Sequence, residues 1–357
     1  MNTARRVLML YRPRLPGQRA QAIQVVHCAQ AMAEDGAEVT ILADRGTAPA
    51  SAAHALSVLG LAPTPGLSVE LAPLRHSGVA GIWFRRRLAH WWSGPPGLVL
   101  ARDKRRLARA LHTHGRAGHR IVLETHERDG ATDPDAAALE QALIPQLDAL
   151  IANCEGTLDA WEAAWPLGDL PRRAAHNGCA PGRSVGAAAG EVVDQIVVMG
   201  SRAPRKGLAL VGEVAHALPL PVHVHGPADG PAIAGLHHHP PLPYTAVPVV
   251  LARARVLLLT LGDGVFGEQL TSPLKLWDYL ATARPLVAPD LPSVRRALAA
   301  APVAAGPTAG IFLHRPHDAA DLLRALTLAS AAPPRAPVLR TWHQRLDEVR
   351  DLLGWST

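Results

Sequence analysis

The segment Leu270-Thr271-Ser272-Pro273-Leu274-Lys275-Leu276-Trp277-Asp278-Tyr279-Leu280-Ala281 holds the residue types that bind a nucleotide phosphate. It reads as a loop that turns into a helix. Ser272 is the expected N-cap and Pro273 the expected first helical residue, since proline lacks the N–H that would go unpaired there. The tip from Thr271 to Leu274 then offers free backbone N–H groups and the positive end of the helix dipole. Lys275 adds a full charge in the first turn. Asp278, three residues on, lies on the same face one turn deeper. Phosphates on the N–H groups and the lysine, with ribose hydroxyls on the carboxylate, describe a nucleoside diphosphate. An ordinary capped helix with a surface Lys and Asp fits the spacing equally well.

A second basic loop is Gly200-Ser201-Arg202-Ala203-Pro204-Arg205-Lys206-Gly207. Glycine at each end and three positive charges suit a pyrophosphate, although the glycines are too few for a P-loop. Gly17, between Arg14 and Arg19, suits close approach of a polar or anionic ligand, or a plain solvated connection. In Glu124-Thr125-His126-Glu127, His126 follows an apolar strand, at the end of a parallel sheet where ligands bind. It is a candidate hydrogen-bond donor or general acid/base; a structural histidine is the commoner case. Asp133-Pro134-Asp135 matches a metal-binding D-x-D but reads as helix capping. His237-His238-His239 reads as a loop, because consecutive side chains diverge and one metal would rarely collect all three. No cluster has metal-ligand spacing, and no resident cofactor is expected.

The elements that must position these residues follow from pattern. The chain has 357 residues, 48% of them hydrophobic, which is long for one core and points to two domains. Strand–helix–strand units repeat along it: Arg6–Tyr11, a helix over Ala20–Asp35, and Glu38–Ala43 open the first half, and Gln195–Met199 opens the second. An Ala/Gly/Pro/Ser-rich stretch over Ala180–Gly190 marks the boundary. The expected domains are 1–180, 181–335 and a final helix within 336–357 that packs back toward the first. No apolar run reaches transmembrane length, and the start is too short in its apolar part for a signal peptide. Three cysteines without metal spacing suggest a reducing cytoplasm. The net charge of +6 accompanies an arginine- and alanine-rich composition with 4% aromatics and no nucleic-acid-binding motif, so no nucleic-acid partner is expected. His76–Trp92 places Trp83, Trp91 and Trp92 beside Arg85-Arg86-Arg87. A partly buried helix with a solvated arginine face is the preferred reading; peripheral contact with anionic lipid through Trp83–Trp92 is the alternative.

Taken together, these pieces resemble the retaining family 4 glycosyltransferases of the GT-B fold. Ser272-Pro273-Leu274-Lys275-Leu276-Trp277-Asp278-Tyr279-Leu280-Ala281-Thr282-Ala283-Arg284-Pro285-Leu286-Val287-Ala288 is similar to the family's S-P-x-K-hydrophobic-x-E-Y-x-A-x-G-x-P-hydrophobic-V-A segment. Asn177-Gly178, the Gly200–Gly207 loop, Asp290-Leu291-Pro292 and the helix–strand Ala29–Ala43 agree in order. The resemblance implies an α/β chain of two Rossmann-like domains facing an interdomain cleft. It implies a nucleotide-sugar donor as co-substrate and a carbohydrate or lipid-linked acceptor. Lys206 matches the loop lysine on the donor diphosphate, with Arg202 as a companion cation. Lys275 and the backbone from Ser272 through Pro273 and Leu274 match the phosphate cradle, Thr271 and Ser201 are donor-binding candidates beside it, and Asp278 matches the ribose-binding glutamate. Gly17 lies where the N-terminal loop approaches donor or acceptor, and His126 where a histidine stands near the transferred sugar. The implied activity is metal-independent sugar transfer with retention, in polysaccharide, glycolipid or glycoconjugate biosynthesis. Departures are Ser201 at the family's loop arginine, Leu270 at the first glutamate of its E-x7-E pair, Asp278 for the second, and Ala180 for the acid of N-G-x-D. Leu270 and Ser201 motivate a second reading, a catalytically weak partner subunit. An epimerase or phosphorylase on the same fold is a third.

Overall fold

A computed structural model describes residues 5–17, 19–46, 51–73, 78–180, 190–203, 206–262, 264–301, 303 and 305–355. The expected linker core at 181–189, the loop residues Pro204-Arg205 and the expected helix start at His76 lie outside the described residues. The chain forms two compact units, Met1–Ala175 with Trp342–Thr357, and His176–Thr341.

The first unit is a parallel sheet of β1 (Arg5–Leu10), β2 (Arg14–Leu15), β3 (Ala37–Arg45), β4 (Leu67–Leu71), β5 (Leu98–Ala101), β6 (Arg120–Thr125), β7 (Ala149–Ala152) and β8 (Arg172–Ala174). Its order is β2-β3-β1-β5-β6-β7-β8, with β4 paired to β3. Helices α1 (Ala20–Glu34), α2 (Ala52–Val58), α3 (Gly78–Trp92), α4 (Lys104–His114), α5 (Pro134–Leu143) and α6 (Glu155–Ala164) connect the strands. Strands buried on both faces read as unbroken apolar runs, and Leu98-Val99-Leu100-Ala101 is buried throughout. Asp133 caps α5, its Oδ1 accepting from the N–H groups of Asp135 and Ala136 at 3.0 and 3.2 Å. In α3, Phe84, Leu88, Trp91 and Trp92 are buried in the core. Val79, Ile82, Arg85, Arg86 and His90 face solvent.

The second unit is a parallel sheet of β9 (Val193–Met199), β10 (Val222–His225), β11 (Leu236–His239), β12 (Ala254–Leu258), β13 (Leu286–Pro289) and β14 (Ile311–His314). Its order is β11-β10-β9-β12-β13-β14. Around it lie α7 (Leu208–Val214), α8 (Val247–Arg253), α9 (Val265–Glu268), α10 (Leu274–Leu280), α11 (Pro292–Ala300) and α12 (Ala319–Ala331). The reading of His237–His239 as a loop is corrected: these residues form the edge strand β11. The register pairs His237 with His223 and His239 with His225, so alternate imidazoles stack on one face with centroids 4.6–5.0 Å apart. Polar side chains hide a strand of this kind from hydropathy, and the strand exists because β10 supplies its hydrogen bonds.

The chain closes with α13 (Trp342–Val349), which packs on α1 within the first unit. Arg350 beside it forks onto Asp35 at 2.6 and 2.9 Å, at the end of α1.

Candidate functional site

In the second unit, α10 runs over Leu274–Leu280 with Pro273 at the cap position and no side-chain cap. The expectation that Ser272 caps the helix is therefore corrected. Its hydroxyl is 3% exposed and already committed. It accepts from the Asn177 backbone N–H at 2.9 Å and from Trp277 Nε1 at 3.2 Å, and lies 3.1 Å from His176 Nδ1. With both acceptor positions taken, its proton goes to the imidazole nitrogen. Asn177 Nδ2 also donates to the Ser272 carbonyl at 2.7 Å. Arg340 donates to the Asn177 carbonyl at 3.1 Å, and a Cβ on Gly178 would stand 2.8 Å from the Thr341 backbone. His176, Asn177 and Trp277 are thus the groups that hold the loop before α10. The sequence showed Asn177-Gly178 only as a motif without this role.

Tyr279, fully buried on α10, ties the helix to the other half of the site. Its hydroxyl accepts from the Met199 N–H at 2.8 Å, so α10 is fastened to the end of β9 where the Gly200 loop begins. Ser201 Oγ accepts from the Ala203 N–H at 3.2 Å. Burial tends to raise the Asp229 carboxyl, but hydrogen bonds from the Ser201 hydroxyl and the N–H groups of Asp229, Arg202 and Ala203 hold it below the ordinary value. Ser201 therefore braces its own loop. Gly207 closes that loop at φ +71°, where a Cβ would meet the Leu261 carbonyl at 2.7 Å, so the turn excludes a side chain.

Lys275 comes to rest against this loop. A Cβ on Gly200 would lie 2.7 Å from Lys275 Nζ, so the missing side chain makes room for the ammonium. Burial, then the positive charge of Lys206, push the Lys275 pKa down to about 8. Among the described residues no carboxylate neutralises Lys206, Lys275 or Arg202. Cations held this close without a counter-ion form a site for an anion. Asp278, one turn deeper on α10, is half-buried. Thr271 is buried, and Leu274 is half-buried at the start of the helix.

Beside Gly207 opens a cavity of about 270 Å³ at the ends of β12, β13 and β14. Thr260, Leu261, Glu268, Leu291 and His314 line it. Glu268 also accepts from the Gly264 N–H at 3.2 Å, which keeps its carboxylate on α9. Leu270, two residues on, is half-buried.

Gly17 and His126 belong to the first unit. A Cβ on Gly17 would stand 2.4 Å from the Arg14 carbonyl, so this glycine is required by its own turn. His126 follows β6 and pairs through Nε2 with Glu124 Oε1 at 2.8 Å. Burial and the charge of Arg102 lower its pKa to about 4 against the pull of Glu124. The imidazole is neutral at pH 7.

No protein-family model matches the chain, and no curated protein matches it in sequence. Solved structures do resemble it. Sucrose-phosphate synthase from Thermosynechococcus elongatus superposes with a TM-score of 0.65 at 14% identity, covering 98% of this chain and 96% of that one. Anabaena HepE in complex with UDP-glucose gives 0.62 at 12% identity, covering 98% and 95%. AviGT4, a glycosyltransferase involved in avilamycin A biosynthesis, gives 0.61 at 15% identity, covering 98% and 97%. The chain has the GT-B fold. At these identities the likeness speaks for architecture. In this GT-B chain the unneutralised lysines and the cavity share one sheet end of the second unit, at the carboxyl ends of parallel strands, where open α/β sheets bind ligands.

Proposed function

We propose that the chain is a glycosyltransferase. It moves a sugar from a nucleoside diphosphate-sugar to an acceptor hydroxyl with retention, in the biosynthesis of a polysaccharide, glycolipid or glycoconjugate. The observation that carries this reading is Lys275, held against Gly200 and near Lys206, with no carboxylate among the described residues to neutralise either. Both HepE and AviGT4 are consistent with it, one by its bound UDP-glucose and the other by its stated role.

In the reaction, the bond from the anomeric carbon to the diphosphate breaks with its electron pair leaving on the phosphate oxygen, the acceptor oxygen bonds the anomeric carbon on the same face, and the acceptor proton passes to the leaving phosphate. Lys206, Lys275 and Arg202 stabilise that charge, as fixed cations do where charge develops in a transition state. They do so in the place a divalent metal would otherwise take. The Asp278 carboxylate accepts from ribose hydroxyls. Thr271 and Leu274 shape the phosphate cradle by their backbone; Ser272 and Ser201 hold that backbone in place. Retention is supported by the family resemblance of the Ser272–Ala288 segment.

The acceptor in this reading is a carbohydrate or a lipid-linked acceptor. Val79 and Ile82 stand exposed beside Arg85 and Arg86 on α3, which supports peripheral contact with an anionic membrane surface. The buried Trp91 and Trp92 take no part in it. Sedimentation with anionic and neutral vesicles tests this contact: pelleting with anionic vesicles that Ile82→Asp abolishes is expected, and equal pelleting with both kinds contradicts it.

The second reading, a catalytically weak partner subunit, is favoured by Leu270 at the expected sugar-facing glutamate. Incubation with a panel of nucleoside diphosphate-sugars and simple acceptors separates the two. Release of nucleoside diphosphate supports the transferase; nucleotide binding without turnover in any mixture supports the partner subunit.

A further inference from the structure

Glu124 ends β6 with a carboxylate that is 1% exposed, and four other side chains converge on its Oε1. His126 Nε2 is 2.8 Å away, Arg345 Nη2 from α13 is 3.1 Å, and Arg102 Nε is 3.9 Å. Gln24 of α1 donates its amide to the same oxygen. Arg345, 2% exposed, also reaches the Cys28 thiol at 3.5 Å. Arg102 donates to Gln24 and lies over the Tyr11 ring. Two arginines are thus buried around one carboxylate, which exceeds what a neutral structural pair needs.

The surplus has a chemical consequence at His126. An ionised carboxylate only accepts, so His126 must present Nε2 as N–H. The neutral ring then carries a bare lone pair on Nδ1. The His126 side chain keeps 22% exposure, and among the described residues nothing donates to Nδ1. The charged groups that face the ring are Glu124, Arg102 and Arg345, and the two cations oppose its protonation.

We propose that Arg345, carried by the last helix, is a positioning residue: it anchors the Glu124 carboxylate so that His126 offers an unprotonated Nδ1 to a sugar or acceptor hydroxyl. The identity of that hydroxyl rests on the transferase reading above; the fixed tautomer does not. The planar fork of an arginine matters here, because it spans the Glu124 oxygen and the Cys28 thiol at once, which a lysine ammonium does less well.

Nitrogen-15 spectra of the imidazoles in the full-length chain test this directly, in wild type, Arg345→Met and Arg345→Lys. In wild type, His126 is expected as one Nε2–H tautomer that stays neutral down to about pH 4. In Arg345→Met, Glu124 remains while a cation is lost. The His126 pKa should then rise by about one unit or more, because one of the two cations that oppose its protonation is gone. Arg345→Lys should restore part of the wild-type pattern. Turnover should fall by roughly 10–10²-fold in Arg345→Met, with the acid limb of the pH profile moved up alongside the His126 titration. An unchanged His126 titration in a folded Arg345→Met overturns the proposal. Should that variant not fold, the double variant Glu124→Gln/Arg345→Met removes both charges; mixed tautomers are expected there, and a single Nε2–H tautomer overturns it. If the spectra shift as expected while no donor is turned over by wild type, the positioning role stands and the transferase reading falls.

Discussion

In the proposed transfer, Lys275 is the residue on which the chemistry turns. Its ammonium is kept against Gly200, partly out of water and near a second lysine, which makes its proton easier to lose than an exposed lysine's until an anion arrives. A bound diphosphate reverses that balance. Nucleotide affinity should therefore be full below about pH 8 and fall as pH rises through that value, because the free lysine then has no proton to offer. Calorimetric titrations between pH 6.5 and 9.5 check this, and Lys275→Arg should remove the fall. Lys206→Ala and Lys275→Ala should each lower turnover by about 10²–10³-fold if both cations face the leaving group. Spacing and resemblance singled out these lysines in the sequence. The part Ser272 plays was not legible, because its short-range cap competes with Asn177 and Trp277, and only the folded chain brings Asn177 to it.

At the scale of elements, each half of the first and second units is tied together by a buried polar contact rather than by pattern. Tyr279 fastens α10 to β9 through the Met199 N–H. Tyr279→Phe leaves that N–H unpaired and should cost about 1–3 kcal/mol in urea unfolding. It should also weaken nucleotide binding, since α10 and the Gly200 loop lose their common tether. Arg345 fastens α13 to β6 and α1 in the same way, through Glu124 and Cys28. Truncating one partner of a buried pair strands the other charge, so Arg345→Met should destabilise the chain by about 3–5 kcal/mol. The strands and helices were readable from unbroken apolar runs and from helical periodicity ended by glycine, as in β5 and α1. The Glu124–Arg345 pair was not, since nothing in local periodicity links residues so far apart in the chain. Edge strand β11 escaped for a related reason: its histidines follow the period of a sheet but not its usual hydropathy.

At the scale of the whole molecule, half-buried neutral histidines bear on the acid limit of stability. His126 and His225 are both lowered to about 4 from an ordinary 6.5, His225 by burial and by its neighbours His239 and His223. Their folded pKa values are depressed, so the unfolded chain binds protons first as pH falls. Their contribution is complete above about pH 6.5 and is lost as pH drops toward 4. Urea midpoints measured across that window should decline steadily, and a flat profile contradicts the assignment. The three thiols, Cys28, Cys154 and Cys179, are buried and form no disulfide, and burial pushes Cys28 up to about 12. They should resist a thiol reagent in the native chain and react only on unfolding. The two-fold α/β architecture was the most legible property of the sequence, because repeated strand–helix units leave few alternatives. The most direct measurement of the central claim is calorimetric titration of the full chain with a panel of nucleoside diphosphates. At least one should bind to wild type and be lost in both Lys206→Ala and Lys275→Ala. Binding that survives unchanged in both variants, or no binding by any nucleotide, would contradict a donor site at these lysines.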